Sequence, residues 1–170
     1  MTRNLIFILS LIANVGLAQT TIPTKAQVLR AFKKSIDQPE KGKIITNSNP
    51  WVVCNKDSSF YKSDTLRLYN NSNYYYSSHC CQYIDLTFYK KNAFILTRAE
   101  MCEGARISVT KDKDWFAVNL YKDNKKLILE TINQGKIVER FSVISMYKVT
   151  NIGQPHEVTD VMTFVRQPKP

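Results

Sequence analysis

The chain has 170 residues, 22% of them charged and 44% hydrophobic, with a formal net charge of +10, four cysteines and two histidines. That length fits one domain with an adequate core. Two isolated histidines make a poor metal-ligand set, and lysines scattered through turns give no dense basic run, which argues against a metal centre and a nucleic-acid binder.

The first residues read as a targeting segment rather than as part of the fold. Arg3 supplies the positive start, Leu5 to Ile12 is apolar apart from Ser10, and Gly16-Leu17-Ala18 places small residues where a signal peptidase cuts. The apolar run is shorter than the roughly 20 residues needed to span a bilayer. Residues 1–18 are therefore expected to be a cleaved signal peptide, leaving a protein without a transmembrane segment that is exported to the periplasm or the extracellular space.

Residues 19–43 form an N-terminal segment. Thr24 is placed to cap a helix over 24–37, with Ala26, Val28, Leu29, Phe32 and Ile36 as its apolar stripe and Pro39 and Gly42 beyond its end. The pattern then changes to strands. Ile44-Ile45 and Trp51 to Cys54 flank a turn at Asn47 to Pro50, and Thr65 to Tyr69 is a short strand. Residues 70–79 are a polar loop carrying Tyr74, Tyr75 and Tyr76.

Cys80 to Cys102 is the most ordered stretch of pattern. Ile84, Leu86 and Phe88 alternate with Tyr83, Asp85, Thr87 and Tyr89, which predicts a core face and a water face. A Lys90-Lys91-Asn92 turn, with Asn92 left-handed, makes opposed residue numbers sum to about 182, the register of a three-residue hairpin loop. Phe88 then faces Phe94, Leu86 faces Leu96, and Cys80 faces Cys102; a slip of one residue brings Cys81 opposite Cys102 instead.

Further strands are expected at Ala105 to Val109, Trp115 to Tyr121, Leu127 to Ile132, Ile137 to Val149 and Val158 to Val165. Turns separate them at Lys122-Asp123-Asn124 and Asn133-Gln134-Gly135, and residues 167–170 form a tail. The strands make a mainly β domain over 44–166. Short sequential connections imply antiparallel neighbours, and closure into a barrel hides the edges of so long a meander. The alternative is the helix packed on an open curved antiparallel sheet, as in cystatin-like or NTF2-like folds.

Trp51 on the first strand, Leu86-Thr87-Phe88 before a charged turn and Phe94, Trp115 to Val118, Lys126 to Leu129, Phe141 to Ile144 and Met162 to Arg166 together make the chain resemble the small secreted lipocalin-like (calycin-type) proteins of bacteria. The resemblance covers 45–166. The Gly-x-Trp start common in that family appears here as Asn49-Pro50-Trp51. It implies an antiparallel up-and-down β-barrel of eight or nine strands holding a small apolar molecule. The candidate lining is Ile84, Leu86, Phe88, Phe94, Leu96, Phe116, Val118, Leu120, Phe141 and Val143.

Chemistry is weakly represented. His79 beside Cys80 and Cys81 could suggest a thiol with a histidine base. Four cysteines, Cys54, Cys80, Cys81 and Cys102, in an exported chain more readily form two disulfides. Because adjacent strand residues face opposite ways, one of Cys80 and Cys81 is free for Cys102 and the other for Cys54; a Cys80–Cys81 bond with Cys54–Cys102 is the further option. His79 and His156 have no spaced partner ligands, and the strand carboxylates Asp85, Glu100, Glu130 and Asp160 show no common direction. The sequence thus predicts a monomeric binding protein for a small hydrophobic or amphipathic ligand, without cofactor, metal or catalysis. The alternative is a protein-interaction module, an inhibitor or surface-recognition protein, that grips an extracytoplasmic partner through Tyr74, Tyr75 and Tyr76.

Overall fold

The computed structural model describes residues 22–36, 49–70, 80–102, 107–151 and 154–168, with the backbone alone for 151 and 154–157. The segments 1–21, 37–48, 71–79, 103–106, 152–153 and 169–170 lie outside the described residues. With them lie the signal peptide, Ile44-Ile45, the three loop tyrosines and His79.

Helix α1 is Lys25–Lys34. Thr24 Oγ1 accepts from the Gln27 N–H at 3.3 Å, and the Thr24 N–H donates to Gln27 Oε1 at 2.7 Å. This reciprocal cap satisfies two donors that have no partner inside the helix. Ser35 ends it, its N–H reaching the carbonyls of Ala31 and Phe32, so the helix stops earlier than Pro39 and Gly42 suggested. Its buried face is Val28, Ala31 and Phe32, with Leu29 and Ile36 partly covered. Ala26, expected in the stripe, faces water; Ala31 takes its place one turn nearer Ser35.

Nine strands follow among the described residues: β1 Trp51–Cys54, β2 Thr65–Asn70, β3 Gln82–Lys90, β4 Ala93–Glu100, β5 Ile107–Val109, β6 Trp115–Asp123, β7 Lys126–Asn133, β8 Lys136–Asn151 and β9 Gln154–Arg166. Eight close a ring in the order β3-β1-β2-β9-β8-β7-β6-β4, with β4 returning to β3. All pairs in the ring are antiparallel, so the strands run alternately up and down, and β5 is an outside strand continuing along the far end of β4. The fold is the closed barrel expected, and it fits a lipocalin-like architecture. The open-sheet alternative is set aside by the β3–β4 pairing that shuts the ring. One detail departs from a simple meander. β1 lies between β2 and β3, so β2 and β3 run parallel and the connection between them joins opposite ends of β1.

The register of β3 and β4 is the predicted one, with Phe88 opposite Phe94 and Leu86 opposite Leu96. Its turn is different. Lys90 pairs with Ala93, the loop is Lys91-Asn92, and the ladder is irregular between Phe88 and Lys90. Asn92 has no left-handed backbone; a bulge at Tyr89 takes up the odd residue instead. Left-handed turns occur at Asn124-Lys125 and Gln134-Gly135, where both central residues have positive φ. That is the twist a two-residue hairpin needs.

The barrel interior holds one apolar core of alternate residues from every strand of the ring. Trp51 is fully buried there, and its indole N–H donates to Ser35 Oγ at 3.3 Å, fixing α1 over the end where β3 and β4 turn. Phe32 stacks on Phe88, with centroids 4.0 Å apart, and meets Trp51 edge-on at 6.0 Å. The helix is therefore a plug.

The water face expected for β3 is also corrected. Tyr83, Asp85 and Thr87 are each 1% exposed. Val52, Tyr83 and Ala99 form a second small core on the outer surface of β1, β3 and β4, with Cys80 and Met101 packed against it. Strict alternation fails here because both faces of β3 are covered.

Candidate functional site

The core leaves a cavity of about 90 Å³ inside the barrel. Its wall is almost wholly apolar. Seven of the ten predicted lining residues border it: Leu86, Phe88, Phe94, Leu96, Phe116, Val118 and Phe141. Ile84, Leu120 and Val143 belong to the same core without reaching the cavity. A series of rings runs along one wall. Phe32 stacks on Phe88, Phe88 tilts against Phe94 at 5.4 Å, and Phe94 stacks on Phe116 at 5.2 Å.

Other lining residues were missed from sequence. Leu66, Leu68 and Leu129 occupy inward positions of strands too short or too uniformly apolar to show their facing. Phe60 and Tyr61 come from an element that was not foreseen, a 3-10 turn at Lys56–Ser58 leading into the four-residue helix α2, Ser59–Lys62. Four residues cannot display a helical period. The local signal was Asn55 five residues before Phe60, since its Oδ1 accepts the Phe60 N–H at 3.1 Å.

This segment, between β1 and β2, marks the end of the barrel opposite α1. Around it lie the polar or part-exposed lining residues Tyr61, Thr131, Val138 and Glu139. Two arginines stand at the same end. Arg166 pairs with Glu139 across β9 and β8, donates from Nη2 to the Phe60 carbonyl at 2.7 Å and from Nε to the Ser63 carbonyl at 3.4 Å, and lies 5.0 Å over the Phe141 ring. Arg98 pairs with buried Asp114 at 2.7 Å. The Asp114 hydrogen bond is the main reason the Arg98 guanidinium is held more firmly protonated; burial opposes it. The mouth thus has a charge-balanced collar around an apolar interior.

A second buried charge lies elsewhere. On the outer face of β6, β7 and β8, Glu130 is 4% exposed and accepts from Asn119 Nδ2 at 3.2 Å, Tyr121 Oη at 2.9 Å and Arg140 Nε and Nη2 at 3.0 and 2.7 Å. Burial pushes its carboxyl up, but the bonds from Arg140, Tyr121 and Asn119 outweigh that and hold it below the usual range. Tyr121 is raised in turn, by burial and then by Glu130. Asn119, Glu130 and Arg140 are cross-strand neighbours in register. The cluster reads as a structural clamp. The other strand carboxylates do not converge on it: Asp160 pairs with Lys148 at 2.8 Å, Glu100 is exposed, and Asp85 is buried on β3.

The cysteines form Cys54–Cys80 and Cys81–Cys102, and none is free. The β3–β4 ladder ends at Gln82 and Glu100, two steps short of the position where the extrapolated register would have opposed Cys80 to Cys102. One step on, the Met101 N–H still donates to the Cys81 carbonyl at 2.7 Å. β3 has β1 on one side and β4 on the other, and the two adjacent thiols part to those two neighbours. Among the described residues, no group of three or more His, Cys, Asp and Glu is placed to hold a metal. No helix among them is long and apolar enough to cross a membrane. Comparison with protein-family models, curated proteins and solved structures finds no match to this chain.

Proposed function

We propose that this is an exported, lipocalin-like binding protein that holds a small apolar ligand inside its barrel and performs no chemistry on it. The observation that carries this reading is the cavity: about 90 Å³ of apolar space in a core otherwise filled by side chains. Protein interiors leave few voids larger than a water, and an apolar void offers water no hydrogen-bond partners. Such a space favours an apolar occupant. Two disulfides suit an oxidising compartment outside the cytoplasm, which supports the export reading of residues 1–18.

The test is to purify the protein from its native host, denature it and identify by mass spectrometry what is released. A stoichiometric apolar molecule is the expected result, together with an N-terminus at Gln19. Leu96→Trp, which places a larger side chain in the cavity wall, is expected to abolish retention while preserving the fold by circular dichroism. An empty native protein that also fails to take up any apolar probe refutes the reading.

A further inference from the structure

The segment 55–62 is attached to the barrel mouth unlike any strand around it. Its one-turn helix is held by side chains: Asn55 Oδ1 to the Phe60 N–H, Ser59 Oγ to the Cys54 carbonyl at 3.0 Å and Arg166 to the Phe60 carbonyl. At its start, Asp57 (φ 55, ψ 30) and Ser58 (φ 62, ψ 29) are consecutive left-handed residues, and neither is glycine. A side chain makes that backbone unfavourable, so it persists only where surrounding contacts hold it. The rings these contacts hold in place, Phe60 and Tyr61, border the cavity.

Arg166, which fastens the segment, and Arg98 at the same end are already neutralised. Arg166 uses Nε, Nη1 and Nη2 on Ser63, Glu139 and Phe60. Arg98 faces Asp114, whose Oδ2 also accepts the Lys111 N–H at 2.8 Å. An anionic ligand head would have to displace a carboxylate or sit beside one, and like charges at such spacing repel.

We infer that residues 55–62 are a gate over the cavity, latched by Arg166, Asn55 and Ser59, and that this mouth admits uncharged molecules and rejects anions. The selectivity half rests on the ligand-binding reading; the gate half does not. Release of the latches lets the strained Asp57-Ser58 pair relax and carries Phe60 and Tyr61 away from the opening.

Two measurements on the full mature protein test it. In native-state amide exchange, the Phe60 and Ser63 amides are expected to exchange by local opening, well before the β-strand amides. Ser59→Ala, which removes only the hydroxyl that bonds the Cys54 carbonyl, is expected to speed that exchange about five- to tenfold, the effect of losing one hydrogen bond. Exchange of both amides only at the global unfolding rate, in wild type and variant alike, overturns the gate whatever the protein binds. In calorimetric titrations at about pH 7, where an aromatic carboxylic acid is ionised, 1-naphthylamine is expected to bind at least tenfold more tightly than 1-naphthoate, a factor worth about 1.4 kcal/mol. Equal or tighter binding of the naphthoate overturns the selectivity. If neither probe binds wild type or Tyr61→Ala, the ligand-binding reading and the selectivity fail together, and the exchange data alone decide the gate.

Discussion

At the scale of single residues, the structure is most exposed to change where a charge is buried. Glu130→Gln removes a carboxylate that three neighbours surround and leaves Arg140 without its counter-charge. A loss of about 1–3 kcal/mol in urea unfolding is expected. Because the folded carboxyl titrates below its unfolded value, its contribution is fully present above the ordinary carboxylate pKa of about 4.3 and disappears as pH falls through the lower folded value. The gap between wild type and Glu130→Gln should therefore narrow in acid; a constant gap down to strongly acidic pH would mean that the ion pair is not its source. The importance of Glu130 could not be read from the chain. Its partners lie 11, 9 and 10 residues away, on two other strands, and only the register brings them together.

At the scale of elements, the helix plug and the β3–β4 hairpin show what periodicity carries. Thr24, Val28 and Phe32 announce α1 by spacing alone, and the alternation of Ile84, Leu86 and Phe88 gives the β3–β4 register. Periodicity says nothing of what covers the opposite face, which is how Tyr83 and Thr87 came to be expected in water. It is also silent for α2, whose single turn is set by hydrogen bonds to Asn55 and Ser59 rather than by an apolar stripe. Phe32→Ala, at the contact between plug and barrel, is expected to cost about 3–5 kcal/mol, the usual price of emptying a buried aromatic site. Thr24→Ala, which removes the side-chain half of the cap, should cost only about 1 kcal/mol. Chemical denaturation of the two variants checks the ordering, and equal losses would show that α1 is anchored by its cap rather than by its packing.

At the scale of the whole molecule, closure depends on a four-residue strand. Among the described residues β1 alone lies between β2 and β3 in the ring, and Cys54–Cys80 ties its end to the start of β3. The two disulfides span 26 and 21 residues, and loop-closure entropy assigns each about 3 kcal/mol of stabilisation. Cys54→Ser with Cys80→Ser is expected to loosen β1 and β2 selectively in amide exchange, whereas Cys81→Ser with Cys102→Ser should loosen the far ends of β3 and β4. Identical exchange maps for the two double variants would show that neither bond is tied to its own seam. The barrel itself was legible from nine apolar segments and short turns. The swapped order of β1 was not, because a connection's length does not reveal which neighbour it passes.

The pairing of β2 with β9 sets residues 65–70 against 160–165. Nearly the whole domain must exist before that seam can form, because its second half is residues 160–165. Chain synthesis at about 5–20 residues per second leaves β1 and β2 without their final neighbour for several seconds. The seam is thus the last to close, and the ring stays open until residues 160–165 are in place beside β2.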